Sequence, residues 1–211
     1  MPNLLAPLTA LACAAVAGTV LLTGSTPALA DEPAVIGEAA PGFTLEDIRT
    51  AEDVSLSDYE GKVVVLMFHS INCPFYRMAE NTGFDRIFVE MVEDYSDEEV
   101  VFIGINSNKD ESMDRINSYL ERHDINYTVL KDEGNVIADT YGAEVTPHVM
   151  VIDAEGTLRY RGGVHNTVND PSQCGEGDEP YLVPVIDALL NGDEVPYTET
   201  GVFGCAIKRV G

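Results

Sequence analysis

Val63-Val64-Val65-Leu66-Met67-Phe68-His69-Ser70-Ile71-Asn72-Cys73-Pro74 is the stretch that decides the fold. Its first six residues are apolar without a break and begin with three β-branched valines, the pattern of a strand covered on both faces. Downstream, Phe84, Ile87, Phe88, Met91, Val92 and Tyr95 recur at helical spacing. Val100–Ile105 reads as a second buried strand, and Met113, Ile116 and Leu120 mark a second helix ending near His123. Tyr127–Leu130 is a short strand, followed by a helical turn through Val136, Ile137 and Tyr141. Thr146-Pro147 then precedes an apolar strand, His148–Asp153, and the turn Ala154-Glu155-Gly156 returns the chain as Leu158–Arg161 in an antiparallel hairpin.

Upstream, Phe43–Leu45 and Val54–Leu56 read as a hairpin. A helix over Leu182–Leu190 and a tail containing Gly and Thr complete the chain, and no internal repeat is visible. Strands alternating with helices imply a parallel sheet with right-handed crossovers, and the late hairpin adds an antiparallel part. This order predicts an α/β chain with a thioredoxin fold: a central mixed sheet flanked by helices, an N-terminal hairpin extension and a C-terminal tail.

Within that frame Cys73 stands where a buried strand gives way to a helix. Pro74 suits a first helical position, where its missing N–H has no partner to lose. Cys73 is then the expected N-cap, its sulfur near free amides and the positive end of the helix dipole, which favour a thiolate. The carboxyl end of a central strand is also where open sheets bind ligands. Thr146-Pro147 is an independent sign, because a proline at the start of a buried strand cannot donate to the ladder. A structural buried cysteine and an ordinary loop proline are the bland alternatives.

Residues Met1–Ala30 carry no Asp, Glu, Lys or Arg and run from an apolar stretch to Ala28-Leu29-Ala30 before Asp31. This predicts a signal peptide over residues 1–30, then a linker over 31–42 and a thioredoxin-like domain over 43–208. The competing reading is a membrane anchor. Thr19, Thr23, Gly24, Ser25 and Pro27 break its apolarity, and Asp31-Glu32 rather than a basic cluster follows. No stable membrane insertion is expected after cleavage, and the destination is periplasmic or secreted. The net charge of −24, from 12 basic and 36 acidic residues, excludes nucleic-acid and anionic-lipid partners.

Cys13 falls in the signal, leaving Cys73, Cys174 and Cys205. In an oxidising compartment a disulfide is plausible, and an odd count leaves one thiol over. A Cys174–Cys205 bridge would staple the tail for on the order of 3 kcal/mol. Alternatively, either cysteine resolves an intermediate formed on Cys73. His69, His148 and His165 are also candidates to surround Cys73, but their spacing lacks metal-motif regularity and no metal is expected. The absence of a Gly-rich phosphate loop implies no organic cofactor.

Ala40-Pro41-Gly42-Phe43-Thr44-Leu45, Cys73-Pro74-Phe75, Asn106-Ser107-Asn108, Tyr141-Gly142, Thr146-Pro147 and Ile152-Asp153-Ala154-Glu155-Gly156 together resemble the redoxin branch of peroxiredoxins and periplasmic thiol-disulfide oxidoreductases. Gly204-Cys205-Ala206-Ile207-Lys208 resembles a closing motif of its peroxiredoxin-like group, the alkyl hydroperoxide reductase/thiol-specific antioxidant proteins. The resemblance implies that Cys73 is the nucleophile and that Pro147, with Thr146, is a cis proline facing it. It makes Ser70 a hydroxyl partner and Cys205 the preferred resolving residue. There are departures. Tyr76 replaces the second cysteine of C-x-x-C, Arg77 replaces that of C-x-x-x-C, and Leu66 stands where peroxiredoxins carry proline. Arg77 is either support for the thiolate or a surface residue.

The expected chemistry is therefore thiol-based redox on a peroxide or on a protein or small-molecule disulfide, with an unidentified thiol reductant. It leans toward peroxide because C-x-x-C is absent. The rival is a non-catalytic binding module that kept the fold.

Overall fold

The computed structural model describes residues 33–74, 84–96, 98–166 and 179–211. Its centre is strand β3, Val63–Phe68, in which every residue is buried. β3 runs parallel to β4 (Val100–Asn106) and antiparallel to β7 (His148–Ile152), so Leu66 lies between Ile103 and Met150. Successive side chains of a strand point to opposite faces. Val63, Val65 and Met67 therefore join one apolar cluster with α1 (Phe84–Asp94), α2 (Met113–Arg122) and α4 (Leu182–Asn191). Val64, Leu66 and Phe68 join another with α3 (Val136–Tyr141) and Phe43. Burying each such side chain contributes about 1.5–3 kcal/mol. Substituting a polar residue anywhere along β3 would cost one of the two faces.

The remaining strands are β1 (Thr44–Asp47), β2 (Asp53–Ser55), β5 (Thr128–Lys131) and β8 (Leu158–Gly162). The main sheet has the order β2-β1-β5-β4-β3-β7-β8. β3, β4 and β5 are parallel and joined by α1 and α2, while β1, β7 and β8 pair antiparallel. This is the thioredoxin fold with the expected mixed sheet and N-terminal hairpin.

One segment differs from expectation. The described part of the stretch read as a linker is bound along the body: Ala34 N–H donates to Thr140, Gly37 to Leu158 and Ala40 to Gly156, each through a backbone carbonyl, at 2.7–2.8 Å. Ala34, Ile36 and Ala40 pack on the second cluster. Small residues and prolines signal a lack of helix and strand, which is different from a lack of contact.

The C-terminal tail packs on the body as well. Cys205–Ala206 forms β9, which pairs antiparallel with β6 (Val145–Thr146) just before the cis Thr146–Pro147 peptide, so that Cys205 lies opposite Thr146. Gly204 makes this approach possible. A Cβ there would overlap the Thr146 carbonyl, lying 2.7 Å from its carbon. Gly204→Ala is expected to destabilise the chain by about 1–3 kcal/mol and to lift β9 off β6. Denaturant unfolding and the rate of Cys205 alkylation measure the two effects, and wild-type values for both would contradict this packing.

Candidate active site

The loop after β3 carries Cys73, for which the sequence reading expects a nucleophilic role. His69 N–H extends the ladder by donating to Ile105 O at 3.0 Å, and Cys73 N–H closes a turn on Ser70 O at 3.2 Å. Cys73 is 1% exposed, and its Sγ donates to the carbonyl of Thr146 at 3.1 Å. Thr146-Pro147 thus faces Cys73 through its backbone. Pro74 lies in a turn. The amides that would cap the thiolate belong to residues 75–83, outside the described residues, as do Tyr76 and Arg77.

Cys205 sits in the same place from the other side. It is half-buried, packs on the apolar cluster that contains Cys73, and lies opposite Thr146, whose carbonyl accepts the Cys73 thiol. Both are free thiols. Burial pushes the Cys205 thiol up to about 11, with its contact to Cys73 and a Cys73 thiolate adding to the rise, so Cys205 keeps its proton at neutral pH. Cys174 lies outside the described residues, and with it the Cys174–Cys205 staple.

Ser70 is also in the loop, but its hydroxyl is turned away from the sulfur. It donates to the carboxylate of Glu111, which is 1% exposed. The same carboxylate accepts the N–H groups of Ile71 at 3.1 Å and Asn72 at 2.9 Å, and the side-chain amide of Asn106. Ser70 therefore organises the loop rather than offering its proton to Cys73.

Asn108 joins the two cysteine-bearing segments: it donates to His69 O at 3.4 Å and accepts Lys208 N–H at 2.9 Å. Lys109 N–H adds a bond to Lys208 O at 2.9 Å. Sequence reasoning placed Asn106-Ser107-Asn108 only as a family motif, and it missed Glu111 altogether. In a chain with 36 acidic residues nothing local marks the few that are buried.

The three histidines do not converge. His69 covers Gly104 on the face of α1 and α2, where a Cβ on that glycine would meet its ring at 3.1 Å. His148 pairs with Phe68 and shares the opposite face. His165 stacks on Phe84 with ring centroids 5.1 Å apart. Alternation along β3 and β7 separates His69 from His148, and sequence spacing alone did not reveal it. Among the described residues, no group of three or more His, Cys, Asp or Glu could hold a metal ion.

The AhpC/TSA family model matches residues 36–161, which include Cys73 and Pro147 and stop short of Cys205. The thiol-disulfide oxidoreductase ResA of Halalkalibacterium halodurans is 28% identical over 122 residues, covering 58% of this chain and 65% of that protein. The chloroplastic peroxiredoxin Q of Suaeda salsa is 30% identical over 133 residues, covering 58% and 57%. The chain thus spans less than two thirds of the length of these two relatives. A hypothetical protein from Sinorhizobium meliloti 1021 superposes with a TM-score of 0.72 at 25% identity, over 84% of this chain and 96% of that one. An uncharacterized conserved protein from Geobacillus kaustophilus gives 0.71 at 26%, over 82% and 92%.

His148 has a measurable signature. It is 5% exposed, its Nδ1 has no hydrogen-bond partner among the described residues, and burial, reinforced by Arg161, lowers it to about 4. An unfolded histidine titrates near 6.5, so between pH 6.5 and about 4 the unfolded chain binds the extra proton and stability falls with pH. The full effect is on the order of 3 kcal/mol. His148→Gln removes it. The stability difference between wild type and variant, from urea unfolding at pH 7 and pH 4.5, is expected to move against the wild type at the lower pH. A difference independent of pH would contradict a neutral, buried His148.

Proposed function

The chain belongs to the AhpC/TSA family, and from that footing we propose that it is an exported thiol-dependent peroxidase in which Cys73 attacks and Cys205 resolves. The observation that carries this reading is the meeting of the two thiols at the Thr146-Pro147 bend. Relatives named as peroxiredoxin and as thiol-disulfide oxidoreductase support thiol chemistry on this fold. The near-complete burial of Cys73 favours the smaller of the two oxidants. A hydroperoxide reaches such a sulfur with less rearrangement than a folded protein disulfide requires.

The first step is attack of the Cys73 thiolate on the O–O bond. One oxygen is transferred to sulfur as a sulfenic acid, and the other leaves as alkoxide or hydroxide and takes a proton from solvent. In the second step Cys205 sulfur displaces the sulfenic hydroxyl, the S–S bond forms, and the Cys205 proton departs with that hydroxyl as water. The high pKa of Cys205 suits this order, because the proton needed by the leaving group is still in place. Two equivalents of an external thiol then return the disulfide to dithiol and are themselves oxidised to a disulfide. Thr146 and Pro147 hold the carbonyl that orients Cys73, and Ser70 fixes the loop.

Export rests on residues 1–30 acting as a cleaved signal, which leaves the redoxin domain over 43–208 outside the cytoplasm. Among the described residues, no helix is long and apolar enough to cross a membrane. The acidic surface supports solubility and selects against polyanionic partners.

Hydrogen peroxide consumption with dithiothreitol as reductant tests the reading. Cys73→Ser is expected to abolish turnover. Cys205→Ser is expected to retain a single equivalent of oxidation, trapped as sulfenic acid, and to lose steady-state rate by at least about tenfold. Peptide mapping of the oxidised wild type is expected to show Cys73 joined to Cys205. Cys73-dependent insulin reduction without peroxidase activity would reassign the chemistry to disulfide exchange. Inactivity in both assays would leave a binding module, and a Cys73–Cys174 bridge would remove Cys205 from its role.

A further inference from the structure

We propose that Glu111 is the positioning residue that holds the Cys73 loop in register with Cys205, an inference that rests on the redox pairing of those two cysteines. Glu111 lies just before α2, 38 positions beyond Cys73 in sequence, yet its carboxylate is buried beneath the loop. It accepts a hydrogen bond from each of three consecutive residues, Ser70, Ile71 and Asn72, which immediately precede the nucleophile. Few acceptors other than a carboxylate could do this. The loop aims three donors at this point, and an ionised carboxylate is an acceptor at both oxygens.

A buried charge needs compensation, and the structure supplies it through one side-chain amide. Lys131, 7% exposed, donates from Nζ to Asn106 Oδ1 at 3.3 Å and to Asn108 O at 2.8 Å. The Nδ2 of Asn106 donates to Glu111. The ammonium fixes which way the amide faces, the amide presents a donor to the carboxylate, and the carboxylate orders three loop residues. The same polar turn continues to Asn108, which binds both His69 and Lys208. The loop bearing Cys73 and the strap bearing Cys205 are thereby fastened to one hub. The separation of the two sulfurs is set by this hub as well as by the Thr146 carbonyl.

The effective concentration of one thiol at the other appears in the equilibrium disulfide + 2 GSH ⇌ dithiol + GSSG. Glu111→Gln keeps the shape but turns a donor toward donors, so the loop is released. The expected result, read by peptide mapping of the full chain in glutathione buffers, is at least a tenfold shift toward the dithiol. That raises the reduction potential by about 30 mV. Glu111→Asp, which keeps the charge on a shorter stem, is expected to recover part of the shift.

An unchanged potential in a folded Glu111→Gln protein would overturn the inference while leaving the redox pairing intact. A wild type that forms no Cys73–Cys205 disulfide in oxidising glutathione would overturn the pairing, and this inference with it. Should Glu111→Gln fail to fold, Ser70→Ala decides. It removes one of the three donors and is expected to shift the potential in the same direction by a smaller amount, and no shift would overturn the proposal.

Discussion

The carbonyl of Thr146 accepts the Cys73 thiol and lies so close to Gly204 that no side chain fits between them. A backbone oxygen cannot move independently of its strand. The two contacts therefore tie the Cys73 loop and the C-terminal strap to a common reference, the end of β6. The burial of Cys73, the half-burial of Cys205 and the elevated pKa of Cys205 all follow from that arrangement. A residue larger than glycine at 204, or a strap displaced by a few ångströms, would separate the thiols without touching either one.

Polar residues do the equivalent work on the other side. An apolar sheet ends at Phe68 and Asn106, and beyond those ends the backbone amides of the Cys73 loop need acceptors. Glu111 accepts those of Ile71 and Asn72, Asn106 donates to that carboxylate, and Asn108 donates to the His69 carbonyl, with Lys131 balancing the charge. Buried polar networks of this kind favour one geometry over its neighbours when every member is satisfied. That suits the proposed pairing of Cys73 with Cys205. The network also explains why Asn106-Ser107-Asn108 belongs with the cysteine motif: Ser107 donates to Asp132, Asn106 donates to Glu111, and Asn108 binds the two segments that carry the thiols.

Charge and histidine burial act on a different scale. A net charge of −24 is spread over the surface and is screened by salt within about 10 Å. It governs solubility and the choice of partner far more than events at a buried sulfur. His69 and His148, held neutral by desolvation well below their ordinary range, are structural contributors on opposite faces of the sheet. Both sit beside the end of β3, His69 by sequence and His148 by pairing with Phe68, and this does not make them ligands.

Periodicity alone determined the order of strands and helices, because alternation along β3 and helical spacing along α1 and α2 are local properties that hydrophobic burial enforces wherever they occur. The position of Cys73 after a buried strand and of Pro147 before another was likewise readable, since both are set by strand ends. The face each histidine takes, the commitment of the Ser70 proton to Glu111, the docking of residues 33–42 and the return of Cys205 to Cys73 were decided only in three dimensions. Each depends on contacts between segments tens of residues apart. No local pattern encodes such a contact, because the free energy that fixes it comes from packing and hydrogen bonds that exist only once the sheet has formed.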